Sequence, residues 1–92
     1  MFTKEIILLI QDFYNNFPEV SEETQDFVFS LAYALLDTKK ENKLPLWLIK
    51  YIAMTQVERG TNYLGETMVS SEEKMALKGL VYKLVYLKEE KQ

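Results

Sequence analysis

Pro45-Leu46-Trp47-Leu48-Ile49-Lys50-Tyr51-Ile52-Ala53-Met54 sets nine uncharged, mostly large residues around a single lysine. At helical spacing the run leaves no side for water. An α-helix that is apolar all round is normally surrounded by protein or lipid, and ten residues are about half of what a hydrocarbon core needs. The stretch is therefore read as the central element of a small helical bundle. Pro45 suits its first turn, where a missing N–H is no loss.

Downstream of this stretch, Leu46, Ile49, Ala53, Val57, Gly60, Leu64 and Met68 share one face at 100° per residue. The stripe passes straight through Gly60. One long, bent helix from Pro45 to about Met68, about 36 Å in length, is the favoured reading. Gly60 and Gly65 would each cost roughly 1 kcal/mol relative to alanine, so a kink or break is expected in that half. Ser70-Ser71-Glu72-Glu73 then resembles a helix start, and Leu77, Leu80, Val81, Leu84, Val85 and Leu87 form the apolar face of a last helix.

Upstream, Phe2, Ile6, Leu9, Ile10, Phe13 and Phe17 fall on one face of a first helix from Thr3 to about Phe17, which Pro18 closes. Ile7, Leu8 and Tyr14 widen that face. Ser21-Glu22-Glu23-Thr24 reads as a cap followed by two carboxylates in a first turn. A second helix then runs to about Lys39, with Phe27, Val28, Leu31, Ala34 and Leu35 on one side and Phe29, Ala32, Tyr33 and Leu36 on the other. The sum is an all-α fold in one domain, residues 1–92. It is a small antiparallel helical bundle of three long helices, with a further helix where the third segment breaks.

Composition limits the chemistry. In 92 residues, 48% of them apolar, there is neither cysteine nor histidine. The commonest zinc and iron ligands and the commonest general base at neutral pH are thus missing, and no metal or cofactor is expected. The net charge is −3, and the one local basic excess, Lys39, Lys40 and Lys43, is diluted by Asp37 and Glu41. Those lysines suit a helix end better than a phosphate backbone, so nucleic acid is not an expected partner. Met1-Phe2-Thr3-Lys4-Glu5, followed by only five apolar residues and then Gln11-Asp12, lacks an export pattern; the expectation is a cytoplasmic protein with no membrane span.

One polar patch is a candidate for chemistry. On a continuous third helix Thr55, Glu58, Arg59, Asn62 and Glu66 would share the non-core side, where a carboxylate, an amide and the chain's single arginine could hold a small anion. A solvated helix face with a weak ion pair is the preferred account, because no nucleophile or titrating base stands near enough in sequence to complete a constellation. Small helical chains of this length include chorismate mutases, but that reaction needs several cations around a dicarboxylate. P-loops, dinucleotide fingerprints and calcium loops are absent, so no catalytic residue and no small-molecule substrate is expected.

Partner binding has more residues behind it. Met75, Gly79, Tyr82 and Tyr86 form a second stripe on the last helix, and Trp47 and Tyr51 stand one turn apart on the third. Tyrosine and tryptophan carry much of the energy of protein interfaces. The expected contact surface is Trp47, Tyr51, Arg59, Met75, Tyr82 and Tyr86, docking a protein partner or a second copy of the chain, with a homodimer the preferred state.

The first helix holds Ile10 and the run Asp12-Phe13-Tyr14-Asn15, and the second ends in Leu35-Leu36 before a lysine-containing turn. A proline-started helix at Pro45 and a glutamate-led helix at Glu72 follow. In this layout the chain resembles the immunity proteins that protect bacteria from their own pediocin-like (class IIa) bacteriocins. The resemblance implies a cytosolic antiparallel four-helix bundle that recognises a membrane permease occupied by the toxin. A separate expectation is a self-associating structural or assembly subunit, such as a small viral or mobile-element protein.

Overall fold

The computed structural model describes residues 2–36, 44–68 and 71–91. Within the described residues lie four helices: α1 (Phe2–Asn16), α2 (Glu22–Leu36), α3 (Leu46–Arg59) and α4 (Ser71–Lys91). The fold is all-α. The lysine turn after α2 and the Ser70 cap of α4 lie outside the described residues.

Local chemistry sets the helix ends. Ser21 Oγ accepts the Thr24 N–H at 3.2 Å, an N-cap bond, and donates to Thr24 Oγ1 at 3.1 Å. The neighbouring Glu22 and Glu23 occupy the first turn, as a helix dipole favours. At the far end of α3 the backbone turns left-handed at Gly60, with φ 72°. Gly60 N–H bonds the Val57 carbonyl at 3.1 Å and Thr61 N–H bonds that of Gln56 at 3.0 Å. This pair of bonds is a Schellman stop, and a residue with a Cβ would strain it.

The third helix therefore ends at Arg59 and does not continue to Met68. Residues 60–68 form a small hairpin in its place, with an isolated antiparallel bridge between Thr61 and Thr67 and a Met68 N–H bond to the Gly60 carbonyl at 2.7 Å. Leu64, expected on the core stripe, sits at the hairpin tip and is 79% exposed. Met68 is buried all the same, because the hairpin brings it back against the core rather than along a helix face.

The core joins Ile6, Ile10 and Phe13 of α1, Phe27, Val28, Leu31 and Leu35 of α2, Ile49, Ala53 and Val57 of α3, and Leu77, Leu80, Val81, Leu84 and Val85 of α4. α3 and α4 run antiparallel. Lys50 of α3 lies over Tyr82 of α4, and Glu58 meets Lys74 and Lys78, so rising numbers on one helix face falling numbers on the other. Lys74 Nζ also donates to the Glu58 carbonyl at 2.9 Å, a cation placed on the last turn of α3.

The central element is α4, not α3. Among the described residues α4 packs against all three other helices, chiefly α3 and α1, whereas α3 packs against α4 and α2. The Cα extents are 35 × 25 × 17 Å. A helix with its side chains is about 10–12 Å across, so the short dimension holds only two layers and every helix keeps an outer side. On α3 that side carries Trp47 and Tyr51, whose rings have polar tips that tolerate water.

Candidate functional site

Projection of α3 at 100° per residue separates three sides. Ile49, Ala53 and Val57 face the core, Lys50 turns toward α4, and Trp47 and Tyr51 point beyond Lys50 to the outside. On α4, Tyr82 and Tyr86 lie outside the leucine face on the side next to α3. Pairing of Lys50 with Tyr82 and of Glu58 with Lys74 sets Trp47 level with Tyr86. The four rings thus share one outer face of the α3–α4 pair.

These side chains are open to solvent: Trp47 is 69% exposed, Tyr51 65%, Tyr82 53% and Tyr86 62%. Lys50 Nζ stands 4.9 Å from the centre of the Tyr82 ring, a cation–π contact that fixes the ring against α3. Lys50, Tyr82, Lys83, Val85, Tyr86 and Glu89 line a groove of about 360 Å³ beside it. The Tyr86 hydroxyl, hydrogen-bonded to Glu90, is held above the usual phenol range by that bond and by the carboxylate's charge. The face is preformed at its α4 edge.

The other expected members are more scattered. Met75 is exposed on the same α4 stripe, one and a half to two turns before Tyr82, and Gly79 between them has open space where a Cβ would stand. Arg59 closes α3 about 18 Å along the axis from Trp47 and on another side of the helix, so it stands apart from the rings.

The polar patch does not assemble. Thr55 Oγ1 bonds back to the Tyr51 carbonyl at 2.8 Å, and Glu58 is engaged by Lys78 and Lys74. Those contacts, first the Lys78 hydrogen bond, hold the Glu58 carboxyl below its ordinary range. Asn62 is 1% exposed, and its side chain is the hub of the hairpin. Its Oδ1 accepts the N–H groups of Leu64 and Glu66, each at 3.0 Å, while Nδ2 donates to the Glu23 carbonyl at 3.2 Å and to Glu66 Oε1 at 3.0 Å. Sharing one side of α3 required a helix that Gly60 has already ended. Among the described residues no three acidic side chains gather where a metal ion could be held, and no helix is long and apolar enough to cross a membrane.

A second exposed set was not singled out from sequence. Phe29, Tyr33 and Leu64 project from α2 and the hairpin, with Tyr33 74% exposed. The signal was the apolar second side of α2, from which the core takes Ala32 and leaves Phe29 and Tyr33 outside. Beside them Tyr63 stacks on Phe27, ring centres 5.2 Å apart and planes 12° from parallel.

Burial pushes the Tyr63 phenol up to about 12 from an ordinary value of 10. The folded chain therefore keeps a proton that the unfolded chain releases, and stability falls as pH rises from about 10 to about 12. Burial of Tyr14 acts in the same direction. Tyr63→Phe is expected to flatten that alkaline limb, seen as urea midpoints that drop less between about pH 9 and about pH 11.5 than those of the parent chain.

No family model, curated protein or solved structure matches this chain.

Proposed function

We infer that this chain is a non-enzymatic, cytoplasmic helical protein that works by docking a protein partner on the outer face of α3 and α4. The observation behind the reading is that the exposed Tyr82 and Tyr86 border a groove with Lys50 and Lys83, while Trp47 and Tyr51 stand exposed on the neighbouring α3. An aromatic patch with a polar rim is the anatomy of a protein interface, and scattered single apolar residues would need no such account. Thr55, Glu58, Asn62 and Glu66 are taken up in structural contacts, and this supports a binding role over catalysis. An immunity-type task would set this face against a membrane permease.

The double variant Tyr82→Ser/Tyr86→Ser is expected to lower partner capture at least tenfold while the helical circular dichroism stays unchanged. Both rings lie outside the core, so loss of the fold in this variant would refute the assignment. Self-association through the same face is the second reading, favoured by the extent of exposed ring surface in so small a chain. It requires a dimer by light scattering at high micromolar concentration, lost in the double variant; a parent chain that stays monomeric there refutes it.

A further inference from the structure

The charges of the chain are segregated along its length. From Glu5 to Leu36 it carries Glu5, Asp12, Glu19, Glu22, Glu23 and Asp26 and no lysine or arginine. α2 and all of α1 beyond Lys4 are built from this segment, so this half of the bundle is predominantly acidic. That half also displays Phe29 and Tyr33, one helical turn apart on the outer side of α2. The hairpin rises next to them, and between the two lies a groove of about 430 Å³ lined by Asp26, Phe29, Ser30, Tyr33, Tyr63 and Leu64 together with the buried Asn62. Ser30 and Tyr63 also border a smaller apolar recess of about 200 Å³, completed by Ala34, Leu44, Ile49 and Ile52. A ridge of rings, a recess able to take an anchoring side chain and a carboxylate rim stand together.

Among the described residues Glu22, Asp26 and Glu66 form no ion pair, while Glu58 of α3 engages two lysines of α4. The groove is held open by the Asn62 bond to the Glu23 carbonyl, which pins the hairpin to the first turn of α2. We propose that this groove docks a basic amphipathic helix of a partner protein, its apolar side on Phe29, Tyr33 and Leu64 and its lysines or arginines over Asp26 and Glu22. A helix laid into a groove presents its own apolar anchors at i, i+3 or i+4, about one turn apart, and the Phe29–Tyr33 ridge of the groove repeats at the same pitch. Opposite charge at the rim raises the rate of encounter and rejects acidic partners. An anionic lipid surface or a nucleic acid would be repelled by this face, and the site is separate from the α3–α4 rings.

The test is calorimetry with an 18-residue leucine–lysine peptide of helical amphipathic pattern, paired with amide chemical-shift mapping on the full chain. The expected result is saturable binding with shifts on α2 and residues 61–67, weakened at least tenfold by Phe29→Ser/Tyr33→Ser and several-fold by Asp26→Lys. Both altered sites are exposed, and circular dichroism reports whether each variant keeps its helices. Equal binding of a scrambled leucine–lysine peptide overturns the proposal as mere charge attraction, as does equal binding of a leucine–glutamate peptide. Shifts centred on Trp47 and Tyr82 overturn it, and so do dilution-dependent shifts at the groove without peptide, which would assign the surface to a second copy. Loss of the Tyr82→Ser/Tyr86→Ser effect, by contrast, bears only on the α3–α4 reading.

Discussion

Phe27→Ala is expected to destabilise the chain by about 4 kcal/mol, the middle of the range for removing a fully buried phenylalanine. Phe27 is wholly buried and is stacked on Tyr63, which joins the α2 core to the hairpin. Its loss leaves a cavity at that junction and removes the ring against which Tyr63 is ordered. A domain of this size has roughly 5–14 kcal/mol in total, so the variant gives up more than about a quarter of its stability. Thermal unfolding followed by circular dichroism should show a midpoint lower by about 15–30 °C. A fall of only a few degrees would mean that Phe27 is not a core residue.

Asn62→Ala comes second, at about 3 kcal/mol. The loss is not one of packing volume. Two hairpin N–H groups, of Leu64 and Glu66, lose their acceptor, and the Glu23 carbonyl loses its donor. Stranding a buried polar group costs about 1–3 kcal/mol, and with Asn62 itself 1% exposed, water replaces the missing partners only in part. Asn62→Asp sharpens the test. The introduced carboxylate keeps the two acceptor bonds but faces Glu66 and cannot donate to Glu23. It should therefore be at least as damaging at pH 7 and recover as acid neutralises it, measured as urea midpoints across the acid range. Identical midpoints for parent and Asn62→Ala would show that the amide anchors nothing.

Helical periodicity made α1, α2 and α4 legible. The stripes around Ile6 and Phe13, Phe27 and Leu31, and Leu80 and Leu84 are the buried sides, and the Ser21 cap holds the bond its residue type suggests. The end of α3 was harder to read, because Val57, Gly60, Leu64 and Met68 keep helical spacing through a hairpin. Periodicity reports only where apolar residues fall. The stop was written in backbone chemistry: Gly60 takes the left-handed position and Gly65, at φ 80°, turns the hairpin tip. Asn62 was misplaced for the same reason, since an asparagine that collects backbone N–H groups looks like a surface polar residue until its loop is known. The central role given to the Pro45–Met54 run failed on a different count. Tryptophan and tyrosine add hydrophobicity to a sequence window yet can stand at a surface, as Trp47 and Tyr51 do. That same property made the exposed rings of α3 and α4 readable as a candidate site, while the acidic groove needed the hairpin's position before it could be seen.

The placement of Trp47 has a spectroscopic consequence. It is the chain's one indole, and it sits in water on the folded molecule. Its fluorescence will change little when the bundle unfolds, so emission is a poor gauge of denaturation for this protein. Contact over the α3–α4 rings would dry the indole and move its emission to shorter wavelengths, giving an optical signal of occupancy that is nearly blind to folding.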